Sequence, residues 1–348
     1  MIEKFLIGTY TINNSDGVYQ IELDDDKKQL QNAKLVAKIE SPTYLAESPK
    51  HMLYAVDRNM DQPDLRGGVA VFDINKVPAT LKQENIETGT SDAYVAIDEA
   101  RQLVYTANYH MGYVSVYKIQ DDGTLRIADR VQSIGEVGPK PEQADGAHPH
   151  YANLTPDNRL IVCDLGTDKV NVYDVADDGK LSQVSEFNTI PGYGPRNIEF
   201  NKETNKGYLV GELSSMISVL DYDPKTAKLT LEQTQSTIPS DWTEHNGAAA
   251  IKLSNDNRFV YISNRGNDSI VVFKILADGN LEKVQLISTE GEFPRDFNFN
   301  ADQSMLIVVN QNTDNATLYE RDAETGKLKM IQKNFEVPEG TCVMPRTK

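Results

Sequence analysis

Cysteine is almost missing from this sequence: Cys163 and Cys342 are the only two in 348 residues, with no CxxC pair and no zinc-type spacing. That excludes a disulfide-stapled scaffold and a thiolate metal site, and it suits a reduced, cytoplasmic chain. Long hydrophobic runs are missing as well. No stretch approaches the ~18 apolar residues of a membrane span, and the opening MIEKFLIGTY reads as a strand rather than a signal peptide. Basic residues are scarce, 35 Lys and Arg against 52 Asp and Glu, for a net charge of −17. Such a surface repels phosphodiester backbones and anionic lipids, so no nucleic-acid or membrane partner is expected. Long amphipathic helical patterns do not occur, which argues against helical and leucine-rich solenoids. Phosphate-loop, GxGxxG, HExxH and GxSxG motifs are absent too.

What is present is a repeat. A short apolar strand ending in a small or polar residue is followed by a polar turn and a strand of the V-x-V-Y type. The seven copies are FLIGTY with GVYQIEL, MLYAVDR with GGVAVFDI, LVYTANY with YVSVYKI, LIVCDLG with KVNVYDV, GYLVGEL with MISVLDY, FVYISNR with SIVVFKI, and MLIVVNQ with NATLYER. Aligned on the residue that closes the first strand, they fall at Thr9, Asp57, Asn108, Asp164, Glu212, Asn264 and Asn310, about fifty residues apart. One further strand precedes each pair, as in PRNIEF, and another follows, as in KLTLEQ. Four strands in about fifty residues make a propeller blade. The pattern predicts an all-β fold, a seven-bladed β-propeller occupying 1–348 as one domain. The first copy lacks its opening strand, while Gly340-Thr341-Cys342-Val343-Met344 is left over after the seventh. That segment is expected to supply the innermost strand of blade one, pairing the two ends of the chain and removing an exposed edge.

In an antiparallel blade the start of the inner strand and the end of the second strand share one face. Inner-strand starts carry Tyr44, Asp92, His148, His150, Arg196, Asn246 and Arg295 to it; second-strand ends carry Asp57, Arg58, Asn108, Asp164, Glu212, Asn264, Arg265 and Asn310. Two sets of polar side chains therefore converge on one mouth. Arg196, Arg265 and Arg295 suit a phosphate or carboxylate. Glu212, beside Arg196 in one blade, is expected to stay ionised and act as general base on water. His150 shares that role or protonates a leaving alkoxide, and an arginine takes the oxyanion. Repeat-equivalent polar residues also bridge blades, and Asp57, Asp164 and the asparagines suit Asx turns. Asn264 and Asn310, with His148 and Arg295, are candidates for substrate contact. His51, His110 and His245 read as surface or loop histidines. A carboxylate and carboxamide ring suits calcium, but three arginines beside it oppose a cation, so no metal is expected.

These segments resemble the seven-bladed propeller lactonase family, whose members include 6-phosphogluconolactonases and a fungal carboxymuconate lactonising enzyme. The likeness spans nearly the whole chain. It is carried by IGTYT, GAHPHYANLTPDNRL, DLGTDKVNVY, GPRNIEF, GELSSMISV, SNRGNDSIVVF, FPRDFNF and VVNQNTDNATLY. The resemblance implies His150, Arg196, Glu212 and Arg265 as the catalytic set, with Arg295 an auxiliary anion contact. It implies hydrolysis of a small anionic sugar lactone, 6-phosphoglucono-1,5-lactone, in the oxidative pentose phosphate route and without a cofactor. Two places depart from the family pattern: Asn197 follows GPR where histidine is frequent, and Ile251-Lys252-Leu253 occupies an inner strand where histidine is again frequent. Both bear on which lactone is used. The alternatives are another lactone reaction in the same pocket, by a cycloisomerase or an unphosphorylated sugar lactonase, and a non-catalytic binding propeller.

Overall fold

Alternating Val, Ile, Tyr and Phe between polar turns fold here, among the described residues, into twenty-eight strands, and the strands assort into seven antiparallel sheets of four. The computed structural model describes residues 1–59 and 65–347. Among them the one helical segment is a single 3-10 turn, Pro141–Gln143, and no helix is long and apolar enough to cross a membrane. The seven sheets are the blades of a seven-bladed β-propeller. Inner strands of blades two to seven are Leu45–Glu47, Tyr94–Asp98, Pro149–Leu154, Pro195–Asn201, Gly247–Leu253 and Pro294–Phe299. Blade one takes its inner strand, Gly340–Pro345, from the far end of the chain, paired antiparallel to Ile2–Thr9. The closure expected from the leftover segment is therefore the one observed.

Burial follows position in the blade. Second strands such as Leu103–Asn108 and Met305–Asn310 are buried throughout, whereas outermost strands such as Leu181–Asn188 expose most of their residues. The core lies between blades, where faces of neighbouring sheets meet. Phe5, Ile21, Ile307, Leu318 and Val343 join blades seven and one, and Tyr208, Val210, Val260 and Phe273 join blades five and six. Repeated polar stitches add direction to this packing. Tyr54, Tyr208 and Tyr261 each donate a phenolic hydrogen bond to a turn glycine of the next blade, at the carbonyls of Gly123, Gly279 and Gly326. Gln83, Gln233, Gln285 and Gln332 each both accept from and donate to the backbone of a leucine opening the next blade's outermost strand: Leu125, Leu281, Leu328 and Leu30.

The two ends are clasped further. The Glu339 carboxylate, with Glu339 only 4% exposed, accepts from the backbone N–H groups of Ile12, Asn13, Asn14 and Ser15. On the axis, Tyr44, Tyr94 and Tyr151 from three inner strands meet at ring separations of 4.4 and 4.7 Å. Lys252 shares the axial space with the carboxyls of Asp296 and Glu199, so the channel is lined by side chains, including one of the positions that departs from the family pattern.

A bulge at the head of the inner strand shapes the mouth. Pairing to the second strand runs Pro149↔Asp164 then Tyr151↔Cys163 in blade four, Pro195↔Gly211 then Asn197↔Val210 in blade five, and Pro294↔Asn310 then Asp296↔Val309 in blade seven. One residue is extra each time: His150, Arg196 and Arg295. Blade one repeats the irregularity with Thr341. Proline opens these strands because it has no N–H to lose from the ladder, and a bulged residue is re-aimed out of the sheet's alternation.

Candidate active site

Two of these bulged residues, His150 and Arg295, line one opening. Its cavity, about 200 Å³, is lined by His150, Glu212, Arg265 and Arg295 together with Tyr10, Arg58 and Tyr109. Arg196 borders a small extension beneath, toward the axis, with His150 and Arg295. A second cavity of about 290 Å³ lies on the other side of Glu212 and Arg265, edged by Lys140, His245 and Phe293.

Glu212 is the centre of the arrangement. Its Oε2 lies 2.8 Å from Arg196 Nε and its Oε1 lies 2.9 Å from Arg265 Nη2. Both nitrogens are buried, so these are close charge contacts made out of reach of solvent. Burial alone would raise the Glu212 carboxyl, but Arg265 and Arg196 outweigh it and hold the group below its ordinary value. Glu212 is thus ionised at neutral pH. Arg265 is positioned by Nε donating to the Gly247 carbonyl at 3.1 Å and by lying over the Phe293 ring. The loop before Arg196 is pinned by Asp168, which accepts from Gly192 and Gly194 N–H at 2.6 and 2.8 Å.

The backbone N–H of Glu212 donates to the Gly194 carbonyl. The same bond is made by Tyr10 to Glu339, Leu165 to His148 and Gln311 to Phe293. Glu212 therefore stands one position beyond Asn310 and Asp164, and the repeat alignment that set it level with them is one residue out in blade five. The strand itself ends at Gly211.

His150 is 5% exposed and its Nδ1 has no partner. Burial first, then Arg196, Arg295 and Arg265, drive its pKa well below the ordinary imidazole value, so the ring is neutral. The expected substrate contacts divide. Arg295 lines the cavity, with its guanidinium over the Tyr10 ring at 5.4 Å. His148, Asn264 and Asn310 are 2%, 0% and 0% exposed and are turned into the frame. His148 bonds the Tyr109 carbonyl and Asp145 and stacks on Tyr109; Asn264 bonds Thr237 and Ser269; Asn310 bonds Thr289. They brace the walls: Asn264 and Asn310, short side chains at the ends of buried second strands, reach the neighbouring turn, and His148, just before an inner strand, is held by Tyr109 and Asp145. Asp164 closes a turn as an Asx residue should, accepting from the His148, Gly166 and Thr167 N–H groups.

The chain matches the family model described as "Lactonase, 7-bladed beta-propeller" over residues 4–345. It belongs to the seven-bladed β-propeller lactonases. Among its relatives, a 6-phosphogluconolactonase of Bacillus subtilis is 38% identical, aligned over 97% of this chain and 96% of its own. A crystal structure of a Lactobacillus plantarum protein is 51% identical with a TM-score of 0.96, covering 99% of this chain and 100% of that one. The periplasmic gluconolactonase of Pseudomonas aeruginosa is 28% identical with a TM-score of 0.89, covering 99% of each chain.

In this lactonase, sequence reasoning passed over Tyr10 and Tyr109 and set His110 and His245 aside as loop residues. Both histidines are exposed, yet they edge the two cavities. The signal for the tyrosines was positional. Each directly follows a strand-closing residue, Thr9 or Asn108, as Arg58 follows Asp57.

Proposed function

We propose that this lactonase hydrolyses 6-phosphoglucono-1,5-lactone to 6-phosphogluconate in the oxidative pentose phosphate route. The observation that carries the reading is an ionised Glu212 between two guanidiniums, beside a neutral His150, in a cationic cavity of a strongly acidic protein. Water attacks the lactone carbonyl while Glu212, aided by His150, takes its proton. The carbonyl oxygen becomes an oxyanion stabilised by the positive charge of Arg196 and Arg265. As those guanidiniums engage the oxyanion their hold on Glu212 relaxes, and the basicity of the carboxylate rises when it is needed. Collapse expels the ring oxygen, which recovers the proton, and the acid product ionises. A strained δ-lactone asks little more than this of a catalyst.

The Pseudomonas relative, named a gluconolactonase, favours a second reading in which the sugar carries no phosphate. Hydrolysis of lactone generated in situ, by the wild-type chain and by Arg196→Ala, tests the first. Acceleration above the spontaneous rate that disappears in the variant supports it. A wild-type chain no faster than buffer with the phosphorylated lactone rejects it, and activity confined to the unphosphorylated lactone selects the second reading.

A further inference from the structure

The arginines of the mouth fall into two kinds. Of the twelve arginines in the chain, eight stand at ion-pair distance from a carboxylate. Among the described residues the other four have no such partner. Arg66 and Arg126 are exposed, whereas Arg58 and Arg295 are partly buried and line the same cavity. In a chain with 52 acidic residues against 35 basic ones, two guanidiniums that line one cleft with no carboxylate partner among the described residues are a marked exception. Arg58 Nε is buried and makes no hydrogen bond. Arg295 lies over the Tyr10 ring.

Ring order gathers these residues on one arc of the mouth, and Arg295 also borders the extension that it shares with His150 and Arg196. Arg295, Tyr10 and Arg58 come from blades seven, one and two, a continuous arc. His150, Arg196, Glu212 and Arg265 come from blades four to six. Arg196 and Arg265 already serve Glu212 and, in the proposed mechanism, the oxyanion, so a phosphate calls for other donors. We infer that Arg58 and Arg295, with the Tyr10 hydroxyl between them, form a separate subsite for the phosphate monoester dianion of the substrate, across the cavity from Glu212. Guanidiniums present paired N–H donors that match phosphate oxygens. The Tyr10 phenol is lowered first by Arg295 and then by Arg58, Arg265 and Arg196, which places it within the field of all four. Besides Glu212, one further carboxyl, Asp92, lines this cavity; burial raises it to about 7, so an arriving dianion meets a group able to take up a proton. The inference rests on the lactonase reading for its substrate, but not for its anion.

The test uses the full chain and two readouts. The first is the ratio of kcat/KM for 6-phosphoglucono-1,5-lactone over glucono-1,5-lactone. Arg58→Gln and Arg295→Gln, on separate blades, should each lower that ratio by roughly 10- to 100-fold, and Arg58→Lys should restore part of it. Glu212→Gln should depress both lactones together and leave the ratio unchanged. The second readout is binding of inorganic phosphate and 6-phosphogluconate by calorimetry, expected for the wild type and weakened in both arginine variants. Equal losses on both lactones in the arginine variants, or a ratio moved instead by Lys140→Gln in the neighbouring cavity, overturn the subsite. Phosphate binding that depends on Arg58 without hydrolysis of either lactone leaves the subsite standing and removes the hydrolase reading. Hydrolysis with neither phosphate preference nor phosphate binding does the reverse.

Discussion

At the scale of single residues, the site turns on a carboxylate kept ionised by charge and an imidazole kept neutral by burial. Glu212→Gln removes the carboxylate while preserving shape, and under the proposed mechanism kcat should fall by about 10²–10⁴, measured against the spontaneous rate. The pH dependence follows from two lowered pKa values. Glu212 loses its ionised form only below its ordinary value of 4.5, and His150 stays neutral well below 6.5. The active form is therefore retained as pH falls, and kcat should show no acid limb between neutrality and about pH 5. A limb centred near 6.5 would instead place a titrating imidazole in the mechanism. The charged members were legible in the sequence because arginine and histidine at repeat-equivalent positions of an acidic chain stand out. Tyr10 and Tyr109 were not, since aromatic residues flanking a strand read first as core. His148, Asn264 and Asn310 were overread for the converse reason: polarity at the mouth end does not say whether a side chain reaches solvent or a neighbouring turn.

At the scale of strands, the bulge is the device that makes a site from a repeat. Without the extra residue, His150, Arg196 and Arg295 would obey the alternation of a buried inner strand. Sequence shows the Pro-His and Pro-Arg pairs but not the register slip beside them. The same lack of register caused the one-residue error at Glu212, where the strand stops at Gly211. Between blades, the glutamine stitches make a second prediction. Gln285→Ala removes two hydrogen bonds to Leu328 and should cost about 1–3 kcal/mol in chemical denaturation. Gln83→Ala, three blades away around the ring, should add nearly independently to it. Strong non-additivity would mean that strain travels around the ring instead of stopping at each junction.

At the scale of the whole molecule, the seven copies and the unpaired final strand were readable because a blade is a local unit with a fixed period. What the sequence withheld was the clasp, since Glu339 sits 324 residues from Ser15, which its carboxylate bonds. A chain ending at residue 338 loses both the inner strand of blade one and that clasp, leaving Ile2–Thr9 as a bare edge. It should melt well below the full-length chain, and light scattering on warming should show it aggregating. Indistinguishable melting curves would mean that six blades and a fragment suffice.

The pairing of Gly340–Pro345 with Ile2–Thr9 also sets an order in time. During synthesis the first strand leaves the ribosome long before its partner exists, and it must wait while some three hundred residues are added. The mouth cannot take its final shape in that interval, because Tyr10 is anchored through Glu339. The closed mouth therefore forms only after the closing strand has been made, and a prematurely terminated product carries a nearly full complement of charged site residues without the ring that gives them a common centre.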